Sequence, residues 1–169
     1  IYVDIGSHKG KTCLPFLENG YIVHAFEPNP ELFNTHLQPL QKKHALLNIV
    51  QKAIDVKEGQ REFYITNNDE CSSLKEIVYD AKKWNKQNQF ELEISKKIKV
   101  NCTRLDTYLL KNNISHINCL KIDAQGSNLE ALQSLGKFIQ KCDIIKIETQ
   151  LENEDVFYKK ESKQAMVFE

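Results

Sequence analysis

Five short apolar runs in this chain end in a carboxylate. IYVDI carries Asp4, YIVHAF is followed by Glu27, LNIVQKAI by Asp55, NCLKI by Asp123 and DIIKI by Glu148. A carboxylate can take a proton, accept hydrogen bonds from paired hydroxyls or hold a cation. For one such acid a turn or helix cap is explanation enough, but not for the set. Runs rich in Ile and Val, spaced by amphipathic stretches, are what a parallel sheet covered by helices on both faces requires. In an open parallel sheet the ligand crevice lies at the carboxyl ends of the strands, near the point where strand order reverses. The acids are therefore expected to crowd one rim, favouring a cationic or hydroxyl-rich ligand over a bare polyphosphate.

The first run leads into GSHKGK. Gly6 permits a sharp turn without a Cβ, and Gly10 is expected to let the following helix start approach a ligand closely. The spacing is GxxxG, with Ser7, His8 and Lys9 in place of the middle glycine that makes room for a dinucleotide's pyrophosphate. Nor is it a phosphate loop, because GSHKGKT has the Lys-Thr ending but too few residues before it. The second run ends in HAFEPNP, placing Glu27 21 residues after Gly6. There a carboxylate can accept both ribose hydroxyls of a nucleoside, and Pro28 fixes the strand's exit. A nucleoside with a charged, non-phosphate tail meets both conditions, and S-adenosylmethionine is the obvious biological case.

These motifs, with CSSL at Cys71 to Leu74, RLDTYL at Arg104 to Leu109 and CLKIDAQGSNLEAL at Cys119 to Leu132, resemble the FkbM family of class I S-adenosylmethionine-dependent methyltransferases. The match runs in order from Ile1 to about Glu148. The resemblance implies an α/β fold, a Rossmann-like three-layer sandwich with a mostly parallel central sheet. It also implies S-adenosyl-L-methionine as methyl donor and a small-molecule or glycan hydroxyl as acceptor. Carried over by position, Gly6, Ser7 and Gly10 would hold the methionine moiety, with Asp4 at its ammonium group. Glu27 with Pro28 would bind the ribose, and Ala53 and Asp55 would lie near the adenine. Asp123, Gln125 and Gly126 would face the methyl group, and Ser72, Ser73, Gln125 and Asn128 would meet the acceptor. Asp123 is the first candidate general base, Glu148 the second and His8 the third. The family often has Ala-Asn where Ser7-His8 stand and an acid where Asn128 stands. A class I fold normally adds a closing antiparallel pair after strand five. The chain leaves little room for it, so a shortened or truncated domain is expected.

The elements that must position these residues have their own signals. Asn29, Pro30 and Glu31 read as a helix start, with Leu32, Phe33, Leu37 and Leu40 as its apolar face and Pro39 as a kink or stop. Thr12 is expected to cap an earlier helix that ends at Gly20. Ser127 to Glu130 reads as a capping box, with Leu129, Leu132 and Leu135 facing inward. EFYIT, FELEI and IKVNCT read as three strands around a Lys- and Asn-rich stretch, Lys82 to Gln89, that holds the only Trp, Trp84. A single domain is expected over 1–169, with 67–99 an insertion and the candidate acceptor-binding segment.

Composition bounds the function. The 23 basic and 23 acidic residues cancel, and 41% apolar with 27% charged residues is a globular balance. Zero net charge weighs against a nucleic-acid or anionic-membrane binder. No run of about 18 apolar residues is available to span a bilayer. The five cysteines are scattered without a CxxC pair, which suits small core side chains in a reducing, cytoplasmic compartment. The sequons at Asn101 and Asn113 are read as chance. The acids are too dispersed for a metal site, and His24 reads as a satisfied core histidine. Ile1 stands inside an apolar run, so a fragment of a longer chain is expected. Two rival readings remain at this point: a non-catalytic domain that keeps the donor fold as an interaction module, and a nicotinamide-dependent oxidoreductase. Oligomeric state is left open.

Overall fold

The computed structural model describes residues 1–77, 92–149 and 158–160. Along the chain its strands are β1 (Tyr2–Ile5), β2 (Val23–Phe26), β3 (Leu47–Val50), β4 (Ala53–Ile54), β5 (Gly59–Thr66), β6 (Ile94–Thr103), β7 (Ile117–Ile122) and β8 (Cys142–Ile147). Five of them form a parallel sheet in the order β3-β2-β1-β7-β8. The chain steps from β1 toward β2 on one side and returns to β7 on the other, so the switch point lies between β1 and β7.

Register aligns the strand ends. Ile5 pairs with both Phe26 and Ile122, Phe26 with Val50, and Ile122 with Ile147. The residues one step beyond, Gly6, Glu27, Asp123 and Glu148, therefore share one rim. Alternation then divides the side chains between two faces. Tyr2, Val23, Ala25 and Leu47 pack with Cys13 and Leu17 on the side of α1 (Leu14–Glu18). Val3, Ile5, Phe26, Leu120 and Ile122 pack with Leu105 and Leu109 of the last-but-one helix on the other side. Burial on both faces is why these strands are almost wholly apolar.

The helix announced by Asn29 forms with its cap, since Asn29 Oδ1 accepts the Glu31 N–H at 3.0 Å. It runs as α2 (Pro30–Leu32), a π-helical stretch Phe33–Leu37 and α3 (Gln38–Gln41). The adjustment expected at Pro39 is taken up by the wider π turn just ahead of it. Two expected caps do not form. Thr12 gives its hydroxyl to Asp4 rather than to a helix end. In α5 (Asn128–Gln133), which follows α4 (Leu105–Lys111), Ser127 makes no side-chain cap and no capping box closes.

Two strand boundaries also differ. LNIVQKAI is not one strand: it breaks at Gln51-Lys52, leaving β3 in the central sheet while β4 joins a second sheet of order β4-β6-β5. IKVNCT and the end of FELEI merge into one ten-residue strand, β6, antiparallel to β5. Trp84 and the stretch Lys82 to Gln89 lie outside the described residues. Among the described residues β8 ends the central sheet, and no helix is long and apolar enough to cross a membrane.

Arg104 of RLDTYL is a structural clamp. Its Nε and Nη2 donate to the Asp106 carboxylate at 2.9 and 2.5 Å, Nη1 to the Val56 carbonyl at 2.9 Å, and Nη2 to the Ser134 carbonyl at 3.3 Å. It ties α4 to the second sheet's entry and to the end of α5. His24 is buried, its Nδ1 lying 2.9 Å from the Tyr108 hydroxyl.

Candidate active site

A cavity of about 410 Å³ opens over the carboxyl rim, between the central sheet and the second sheet. That volume is within the range of small-molecule sites. One wall is apolar: Phe26, Leu32, Ala53, Ile54, Phe63 and Leu74. The break at Gln51-Lys52 creates this wall, because it turns β4 and then β5 across the end of the central sheet.

Glu27 sits at the tip of β2 and is 5% exposed. Its Oε2 accepts the His8 N–H and its Oε1 the Asn29 N–H, both at 2.8 Å. Burial raises its pKa to about 7 against the lowering pull of those two amides. Each oxygen, having two acceptor positions, keeps one for the cavity. A pair of adjacent hydroxyls is the complement of such a carboxylate.

Gly6 turns at φ +74°, where a Cβ would lie 1.9 Å from the Asp123 carbonyl oxygen. The loop crosses the end of β7 so closely that only hydrogen fits. Gly10, also at φ +74°, packs on the methyl groups of Leu37 and Leu40 and does not line the cavity. The close approach expected of Gly10 toward a ligand is thus an approach to the protein's own helix. His8 lies between them with φ +51°. Its Nε2 is 3.0 Å from Asp69 Oδ1, and Lys9 Nζ is 2.9 Å from Asp69 Oδ2. Burial would raise Asp69, but Lys9 and His8 beside it hold it below the usual carboxylate range. Asp69 follows β5, so this cluster fastens the second sheet to the glycine loop.

Asp4 does not reach the cavity. It is fully buried, its Oδ2 accepting the Thr12 hydroxyl at 2.5 Å, with Cys13 Sγ 3.3 Å away. Its Oδ1 accepts from Lys121 Nζ at 3.1 Å. Asp4 and Lys121 are register partners on neighbouring strands, so their side chains leave the same face. Lys121 Nζ also reaches the Gly6 carbonyl at 3.3 Å and Asp123 Oδ2 at 3.3 Å. Burial would lower the Lys121 pKa, but the carboxylates of Asp4 and Asp123 raise it. Burial likewise would raise Asp123, yet the Lys121 charge, with further hydrogen bonds, brings it below its ordinary value.

The loop after β7 is held from three sides. Gln125 Nε2 donates to Asp123 Oδ1 at 2.7 Å and to Glu148 Oε2 at 3.1 Å. Asn128 Oδ1 accepts the Ala124 N–H at 2.6 Å while its Nδ2 donates to the Glu148 carbonyl at 2.7 Å. Ser73 is buried and gives its hydroxyl to the Gln125 carbonyl. The Tyr158 ring covers Gly126, and its hydroxyl lies 2.9 Å from Gln125 Oε1.

Of the residues expected at the site, Gly6, Ser7, His8, Glu27, Pro28, Ala53, Ser72, Asp123, Gln125 and Glu148 line the cavity. Asp4, Gly10, Asp55, Ser73, Gly126 and Asn128 do not. Asp55 turns to Arg61 at 3.0 Å because β4 carries it into the second sheet. The rim is mixed in charge rather than acidic: Lys9, Lys11, Lys52 and Lys121 stand among its carboxylates. Sequence reasoning missed Lys121 and Asp69. Lys121 had a signal, a lone charge inside an apolar strand two residues before Asp123. Asp69 had none, since a separate sheet delivers it.

A family model described as the methyltransferase FkbM domain matches residues 4–165. The chain belongs to the FkbM methyltransferase family. The crystal structure of methyltransferase FkbM from Methylobacillus flagellatus KT superimposes with a TM-score of 0.53 at 14% identity, covering 88% of this chain and 32% of that one. At that identity the likeness bears on the fold alone, and this FkbM domain spans about a third of the solved chain's length. No curated protein matches it. Within this FkbM domain the KIDAQG segment acquires a physical meaning: Lys121, Asp123 and Gln125 form one hydrogen-bonded chain along the rim.

Proposed function

We propose that this FkbM domain is an S-adenosylmethionine-dependent methyltransferase acting on a hydroxyl of a sugar or another small molecule. The observation that carries the reading is Glu27, a buried carboxylate held by two backbone N–H groups beside the glycine loop and facing the cavity. The lining fits the donor in three parts. The apolar wall suits a purine, Glu27 suits the ribose diol, and Asp123 and Glu148 offer carboxylate acceptors at a rim that also carries lysines. When bound, S-adenosylmethionine supplies a methyl carbon already activated by its positively charged sulfur.

The protein's share is then alignment, exclusion of water and removal of the acceptor's proton. Glu27 and the His8 backbone fix the nucleoside end. The second sheet, fastened by Asp69, forms one wall of the cavity. A rim carboxylate, Asp123 or Glu148, receives the acceptor's proton. The five free cysteines support a reducing, cytoplasmic setting.

The reading as a non-catalytic module drew on the short carboxyl end together with Asn128 standing where the family often has an acid. Both ends of the Asn128 amide are engaged in holding the loop, a task that leaves Asp123 and Glu148 at the cavity. A thermal melt tests the donor directly. S-adenosylhomocysteine at 100 times its Kd stabilises the native state by about 2.7 kcal/mol, and NAD leaves the melting temperature unchanged. A shift with NAD alone reverses the assignment. Labelled methyl donor incubated with the full-length protein and a fractionated host extract then identifies the acceptor.

A further inference from the structure

Two rim carboxylates, Asp123 and Glu148, share one amide donor, the Nε2 of Gln125. A proton shared within such a pair settles on the member that is less well stabilised as an anion. Lys121 makes the two members unequal. Its side chain is only 14% exposed, so water screens it little. Its three N–H bonds have three acceptors, Asp4 Oδ1, the Gly6 carbonyl and Asp123 Oδ2, which fix the ammonium in place. Both oxygens of Asp123 thereby face donors, Lys121 on one and Gln125 on the other. Glu148 accepts from the same Gln125 amide, is in side-chain hydrogen-bond contact with Asp123 itself and lines the cavity.

We propose that Lys121 is a positioning residue that divides the work of the two carboxylates, holding Asp123 as a fixed anion and leaving Glu148 to take the acceptor's proton. This rests on the methyltransferase reading for the identity of the reaction, but the division of charge does not. As the acceptor's O–H bond breaks, its electron pair stays on the acceptor oxygen and the proton forms a new O–H bond on the Glu148 carboxylate. Among the described residues, the titratable groups facing the pair are Lys121 from β7, Asp4 from β1, Cys71 after β5 and the Tyr158 hydroxyl. The lowered proton affinity of Asp123 agrees with this arrangement.

Carboxyl-carbon NMR titration of the full-length protein, labelled in Asp and Glu and assigned with Asp123→Asn and Glu148→Gln, reads the division without any acceptor. Glu148 is expected to titrate at least one pH unit above Asp123. Lys121→Met should bring Asp123 up and narrow or invert the gap, and Lys121→Arg should restore the wild-type order. Asp123 titrating at or above Glu148 in the wild type overturns the proposal, even if Lys121→Met does not fold. So does a Lys121→Met protein whose two carboxyls have not moved. Calorimetry with S-adenosylhomocysteine on the same wild-type sample separates the two readings: failure to bind removes the methyl-transfer role, while the titration order stands or falls by itself.

Discussion

The backbone N–H of His8 donates to Glu27 Oε2 at 2.8 Å, making the glycine loop and the tip of β2 one unit. Burial raises the Glu27 pKa to about 7, whereas the unfolded chain titrates near its ordinary 4.5. Between those values the native state holds a proton that the unfolded state has lost, so stability falls as pH rises through that window, by roughly 3 kcal/mol at most. Ribose hydroxyls donate to the ionised form. S-adenosylhomocysteine binding should therefore release a proton, strengthen as pH rises toward 7 and level off above it. Glu27→Gln should flatten both profiles and weaken binding about tenfold or more, at roughly 1.4 kcal/mol per tenfold. Calorimetry in buffers of different ionisation enthalpy measures the proton, and pH-independent wild-type affinity would contradict the ribose role.

Two glycines with the same φ should respond differently to alanine. In Gly6→Ala the new Cβ meets the Asp123 backbone oxygen at 1.9 Å, which only a shift of β7 or the loop relieves. A loss above about 3 kcal/mol is expected, with loss of donor binding. In Gly10→Ala it meets the ends of Leu37 and Leu40 at 2.9 and 2.8 Å, which can swing aside. Backbone strain then dominates, at about 1–2 kcal/mol. Urea denaturation decides, and equal losses would show that the loop does not lie against Asp123 as described.

Asp69→Asn removes the ion pair to Lys9 and the carboxylate that His8 Nε2 faces. These side chains are 25 to 37% exposed and screened by salt, so stability should change by less than about 1 kcal/mol. Dissociation of S-adenosylhomocysteine should nevertheless become several-fold faster, because the second sheet loses its tie across the cavity. Stopped-flow displacement at low and high salt checks this. An unaltered off-rate at low salt would mean that Asp69 does not hold the cavity closed.

Arg104→Ala should act on stability alone. It takes the donor from the Val56 carbonyl and one donor each from the Ser134 carbonyl and the Asp106 carboxylate, which keep the Asp106 and Thr107 N–H groups, a cost of about 2–3 kcal/mol and a melting temperature lower by roughly 4–10 °C. Arg104 does not line the cavity, so affinity for S-adenosylhomocysteine measured below the transition should be unchanged.

The central sheet was legible because its physics is local. Strands buried on both faces must be short and apolar, and a parallel register places whatever follows each strand on one rim. That is enough to bring Gly6, Glu27, Asp123 and Glu148 together from the sequence. The same reasoning overcounted the acids, since pleat and sheet membership are not visible in a run of letters. Asp4 lies two residues short of the rim and turns inward to Lys121, and Asp55 leaves with β4. Caps failed where tertiary partners competed better: Thr12 gives its hydroxyl to Asp4, and Asn128 bridges Ala124 and Glu148.

By itself, then, the amino-acid order determined the alternation of strand and helix, the family, and the carboxylate at the tip of β2. Only the tertiary structure decided the second sheet as roof and wall, the fastening of Asp69 to the glycine loop, and the charge that Lys121 lends to Asp123. The reason is range. Periodicity and turn chemistry act over a few neighbouring residues, whereas Lys121 meets Asp4 across 117 positions and Ser73 meets Gln125 across 52. Such contacts exist only after the strands have paired.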